Sequence, residues 1–124
     1  MKIKEILEEK INFDNGFELR YYHDQDCCEN VYADFKILKT YNLSTKTGKT
    51  INIHDIDFNE DLETLIEGVA EAGFNMKSKI GEAFFVPCYN VQNGYYNDNL
   101  ELILVKNRTH EVMDISEYVE DDID

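Results

Sequence analysis

Asp14-Asn15-Gly16-Phe17-Glu18-Leu19-Arg20-Tyr21-Tyr22-His23 is the stretch that decides the fold. Asn-Gly favours a tight hairpin turn, because glycine has no Cβ to oppose a left-handed backbone. Phe17, Leu19 and Tyr21 then alternate with Glu18, Arg20 and Tyr22. That period of two is a strand with one face buried and one in water. A hairpin followed by a half-buried strand points to antiparallel sheet.

Working outward, the same signals recur. On the N-terminal side, Ile3, Ile6, Leu7 and Lys10 are spaced as one face of a short helix over residues 3–10. On the C-terminal side a strand resumes near Val31, and residues 35–42 also read as strand. They join residues 50–56 across Ser44-Thr45-Lys46-Thr47-Gly48-Lys49, a basic hairpin tip. Asn59-Glu60-Asp61 opens a short helix with Leu62, Leu65 and Ile66 as its apolar face. The helix stops at Gly68 and residues 69–76 are extended, with Ala70, Ala72, Phe74 and Met76 on one side. A helix running on to Ala72 with Gly73 as its cap is the alternative.

Residues 82–91 form a strand, and Asn93-Gly94 gives another hairpin before Tyr95-Tyr96. Residues 100–105 are nearly all apolar, as in a central strand, and 106–109 turn the chain into 111–115. Pro87 cannot donate to a ladder, so its strand is an edge or carries a bulge. Residues 120–124 are a frayed acidic tail. The expected fold is α+β, a single domain over 1–124: an antiparallel sheet of about six or seven strands with one or two short helices.

Charge narrows the function classes. The chain carries 26 Asp plus Glu against 12 Lys plus Arg, a net charge of −14. Such a surface repels nucleic acid and anionic membranes. It suits solubility, or a partner with a basic surface such as a protein's nucleic-acid site. No segment is apolar over the roughly 18 residues a span needs, and the start lacks a signal peptide's apolar stretch, so a cytoplasmic location is expected. Three cysteines, two adjacent, do not make a secreted disulfide framework.

Four sets of residues could carry chemistry. His23-Asp24-Gln25-Asp26-Cys27-Cys28-Glu29 crowds metal-binding types together. A zinc or iron site would use His23, one of Cys27 and Cys28, Cys88 and a carboxylate, soft and imidazole ligands together. Neighbouring strand residues point to opposite faces, however, and the spacing is not that of a zinc knuckle. Asp55-Ile56-Asp57-Phe58-Asn59-Glu60-Asp61 begins like a calcium loop but has Glu60 where glycine is needed and Ile66 where a bidentate glutamate is needed. His23, His54 and His110 lie in unrelated contexts, with no nucleophile elbow or phosphate loop, so catalysis is not expected and no cofactor is implied. Tyr21-Tyr22 and Tyr95-Tyr96 each place one ring in the core and one outside. An exposed ring can anchor an interface or stack on a base.

Two stretches taken together carry a resemblance. His23-Asp24-Gln25-Asp26-Cys27-Cys28-Glu29-Asn30-Val31-Tyr32 and Asn93-Gly94-Tyr95-Tyr96-Asn97, with the helix Asp61-Leu62-Glu63-Thr64-Leu65-Ile66 between them, resemble an uncharacterised family of small phage and bacterial proteins. The resemblance covers about residues 17–105, and residues 36–53 look like an insertion into its pattern. It implies a phage or mobile-element setting and no established activity. The expected function is a non-enzymatic accessory protein that binds and inhibits a host protein, mimicking nucleic acid through Asp24, Asp26, Glu29, Asp57 and Glu60. The alternatives are a nucleotide-type ligand held by Tyr95, Tyr96 and Arg20, or the metal site above.

Overall fold

The structure, a computed structural model, describes residues 1–23, 30–44, 50–91 and 99–121. Strands dominate it. One sheet runs in the order β1 (Ile3–Ile6), β2 (Lys10–Phe13), β3 (Glu18–Tyr22), β10 (Glu101–Val105), β11 (His110–Asp114). The second runs β12 (Glu120–Asp121), β9 (Ala83–Val91), β8 (Gly73–Lys77), β7 (Ile66–Val69), with β4 (Asn30–Ala33) also on β9. β5 (Asn42–Ser44) and β6 (Thr50–Asn52) form a separate hairpin. All pairings are antiparallel except that of β12 with β9. The α+β class therefore holds, with the strands divided between two large sheets rather than gathered in one. Both sheets turn their apolar sides into one core, which includes Ile11, Leu19, Leu102 and Leu104 from the first and Phe74, Met76, Phe84 and Val86 from the second.

Two expected elements change type. The predicted helix at 3–10 is the strand β1 and the turn after it. Its register shifts by a bulge between Ile3 and Glu5. The bulge lets Ile3 and Ile6, three positions apart, both face the core, so a strand acquires the apolar spacing of a helix. The predicted strand at 35–42 is instead the 3₁₀ turn Phe35–Thr40, which buries Phe35 and Leu38 at its own period of three. The helix opening at Asp61 is a single turn, α1 (Leu62–Leu65). Glu111 accepts a hydrogen bond from Leu62 N at 3.1 Å, and the Asn59 amide donates to Thr64 O at 3.3 Å. Both helix ends are thus tied by side chains, and Ile66 leaves directly into β7. The expected strand at 69–76 is broken by a hairpin in which Glu71 takes a φ of 58°.

The hairpin before β3 forms as read, with Gly16 at φ 90°. Pro87 lies in β9, an interior strand rather than an edge. Asp34 N donates to Pro87 O at 2.9 Å, and proline has no N–H to return. The β4 ladder ends there, and Tyr41 Oη takes the next free carbonyl, that of Phe85, at 2.8 Å. The second Asn-Gly hairpin at 93–94 lies outside the described residues, as does the tail from 122 onward. Glu120 and Asp121, expected to fray, pair with β9. Among the described residues no helix is long and apolar enough to cross a membrane.

Candidate functional site on the outer face of the first sheet

Strand alternation fixes which side chains of the first sheet point away from the core. The register aligns Val112, Ile103, Arg20 and Lys10 in one row across β11, β10, β3 and β2. His110, Val105, Glu18 and Asn12 form the next row, and Asp114, Glu101 and Tyr22 the row on the other side. Leu7, in the turn after β1, closes opposite Lys10 through its N–H to Lys10 O at 2.9 Å.

This face exposes unusual apolar area. Five large hydrophobic residues are exposed among the described residues, and three of them, Leu7, Tyr22 and Val112, lie here. Tyr22 and Val112 are each 50% exposed, with half-buried Ile103 beside Val112 and half-buried Val105 two residues further along β10. Scattered exposed hydrophobics need no explanation, but a contiguous set marks a surface that meets something. A groove of about 550 Å³ runs along it, lined by Leu7, Glu8, Glu9, Arg20, Tyr22 and Ile103 among others.

Charge on the face is layered. Lys10 and Arg20 share the Glu18 carboxylate, at 3.3 and 3.9 Å. These three are partly exposed, so the pairing is worth little stability, and it leaves the middle of the face with one unmatched positive charge. Glu5, Glu8, Glu9, Glu101 and Asp114 stand around that middle. Burial, then Glu9 and Glu8, hold the Tyr21 hydroxyl above its ordinary pKa, which places both glutamates beside that ring. The result is an apolar, arginine-containing centre with acids along much of its border and Lys106, Arg108 and His110 at the end near the β10–β11 turn.

The residues singled out from the sequence are dispersed. Arg20 is on this face. Tyr21 and Tyr22 divide as expected: Tyr21 packs on Phe35 with ring centroids 5.8 Å apart, and Tyr22 faces out. Asp57 and Glu60 surround the Met1 ammonium, at 2.6 and 3.8 Å, and Asp57 also lies 3.8 Å from Lys79. Both acids answer the chain's own cations. His23 Nδ1 bonds the Asn99 carbonyl at 2.5 Å, so the chain ends bordering residues 24–29 and 92–98 meet. Cys88 is a core side chain, its thiol pushed up to about 12 by burial, which disfavours the thiolate a metal would need. Asp24, Asp26, Cys27, Cys28, Glu29, Tyr95 and Tyr96 lie outside the described residues. Among the described residues no three His, Cys, Asp or Glu side chains converge as metal ligands.

Sequence reasoning missed Leu7, Ile103 and Val112. The available signal was the alternation hidden inside 100–105: a strand that reads as uniformly apolar here buries Leu100, Leu102 and Leu104 and leaves Ile103 and Val105 on the water side. No family model, no curated protein and no solved structure matches the chain.

Proposed function

We propose that the chain is a non-enzymatic binding protein that docks a basic partner protein on the outer face of the first sheet. The observation that carries this reading is the set of exposed Leu7, Tyr22 and Val112 and half-buried Ile103 and Val105 around Arg20 on one sheet face. Tyrosine and arginine are the residues that most often anchor protein interfaces, and an apolar centre within a polar rim is the usual interface layout. The bordering acids and the net charge of −14 supply the complement to a basic partner and would draw it in from a distance. In the phage setting that the sequence resemblance implies, the partner is a host protein, and covering its nucleic-acid site is how binding would inhibit it. The acids then act as a steering field, with Asp57 and Glu60 weakened by their own ion pairs.

Capture from bacterial host lysate, run in parallel with the wild type and the double variant Tyr22→Ser/Ile103→Ser, tests this. The expected result is one basic protein retained near stoichiometrically by the wild type, lost with the double variant and lost at high salt. A protein captured equally by both would move the docking surface elsewhere. A second reading, a small anionic ligand, is favoured by Arg20 and Tyr22 flanking the same groove. Arg20→Ala would abolish binding of such a ligand.

A further inference from the structure

The first sheet has two edges, and they are treated differently. The β1 edge is covered: Phe58 N donates to Met1 O at 2.7 Å, the His54 ring meets Ile3 O at 2.7 Å, and the strand carries its bulge. Bulges and covering segments are how proteins close an edge against further pairing. Among the described residues the β11 edge carries no bulge and no backbone hydrogen bond from a covering segment, and α1 is bonded to it only through the Glu111 side chain, which takes Leu62 N. Among the described residues β11 pairs only with β10, in unbroken register from Glu101↔Asp114 to Val105↔His110. Lys106 N donates to Thr109 O, and Ile115 N to Leu100 O, both at 2.8 Å. Antiparallel ladders alternate, so Glu111 and Met113 also turn their backbone groups to β10. His110, Val112 and Asp114 therefore turn theirs outward, and the side chains of all three are exposed.

We propose that two copies of the chain pair antiparallel through β11, with Val112 on the twofold axis, joining the five strands of each into one continuous sheet. The sequence of the edge is self-complementary in that register. Val112 meets Val112 of the second copy, and His110 stands opposite Asp114 of the second copy, twice by symmetry. An imidazole N–H donates to a carboxylate whether the ring is neutral or charged. The outward N–H and C=O groups of the three residues make about six backbone hydrogen bonds across the axis. A twofold interface of this kind is the commonest route to a dimer, and strand addition at an open edge is a common recognition mode. It shares Val112 with the proposed docking face, whose Tyr22 lies two strands in from this edge.

Sedimentation velocity in about 0.15 M salt, from about 1 to 500 μM chain, tests it, a range that spans weak and stable small interfaces. The wild type is expected to shift with concentration from the 14.5 kDa monomer to twice that mass. Val112→Pro removes an N–H that points away from β10, so the fold should stay intact while pairing is lost. His110→Asp sets two carboxylates opposite each other and should weaken association at least tenfold, whereas Lys39→Glu, which makes the chain more acidic away from β11, should not. A wild type monomeric throughout overturns the proposal. So does a dimer that survives both Val112→Pro and His110→Asp. Should Val112→Pro lose its native circular dichroism, His110→Asp against Lys39→Glu decides alone.

Discussion

Asn90 offers the sharpest test of how the core is read. It is 0% exposed and occupies the inward row of β9 with Phe84, Val86 and Cys88. Among the described residues neither its amide Nδ2 nor its Oδ1 has a hydrogen-bond partner. Each polar group buried without a partner costs about 1–3 kcal/mol. Asn90→Val removes both groups, keeps a similar volume and adds a residue that strands favour. After allowing for imperfect repacking, the variant should be more stable by about 1–3 kcal/mol. For a domain of this size that raises Tm by about 3–10 °C. Urea unfolding followed by circular dichroism, alongside a thermal scan, measures both. The opposite substitution, Asn90→Asp, puts a charge in the same place and should cost about 3 kcal/mol or more. If Asn90→Val instead loses more than about 1 kcal/mol, the amide is satisfied in solution. The inner end of β9, beside Val31 of β4, would then be a polar, hydrated site rather than dry core.

Three further outcomes follow from single contacts. Gly73→Ala would place a Cβ 2.2 Å from Val86 O and 2.8 Å from Pro87 Cα, both backbone, so β8 and β9 must separate. A loss of about 3 kcal/mol or more, read by urea unfolding, is expected, and a near-neutral result would mean the β8–β9 register is wrong. The Met1 ammonium, by hydrogen bond and charge, holds the Asp57 carboxyl below its ordinary range. A depressed carboxyl contributes stability above its unfolded pKa and loses it as pH falls through the folded one. Asp57→Asn should therefore lower the urea midpoint at about pH 7 and leave it nearly unchanged at about pH 2, and a loss that is the same at both would refute the ion pair. Cys88, buried with its thiol raised to about 12, should resist iodoacetamide in the native protein and react once urea unfolds it, as peptide mapping would show.

What the sequence disclosed followed from period. Phe17 to Tyr22, the Asn15-Gly16 turn and the split of Tyr21 from Tyr22 are all local: each depends on alternation or on glycine's freedom, and the structure keeps them. The errors arose where a spacing of three was ambiguous. Ile3 and Ile6 owe that spacing to a bulge, Phe35 and Leu38 to a 3₁₀ turn, and apolar spacing alone does not separate either from a helix or a strand. The outer face was illegible for a different reason. It depends on register between strands as distant in sequence as Arg20 and Ile103, and no local pattern encodes that pairing. The acids chosen as partner-binding residues failed to stand out because 26 acids leave no contrast, and only geometry assigns Asp57 and Glu60 to the N-terminal ammonium.

The two proposed associations respond to salt with opposite sign, which follows from the same charge. A net −14 draws in a basic partner, so docking on the sheet face should weaken as salt rises and screening shortens. That charge also opposes the approach of a second copy. Pairing through β11 rests on backbone hydrogen bonds and the Val112 contact, so added salt removes long-range repulsion and should tighten it, apart from the smaller His110–Asp114 contribution. The two are also coupled in space. Joining β11 edges brings two copies of the Ile103–Arg20–Tyr22 surface side by side on one sheet, and a partner touching both would be held by two sites at once. His110→Asp should then weaken partner capture while leaving each copy's own Tyr22, Ile103 and Val112 in place. Tyr22→Ser/Ile103→Ser should abolish capture and leave the dimer in place. A partner bound equally well by His110→Asp at every chain concentration would separate the two surfaces and confine docking to one copy.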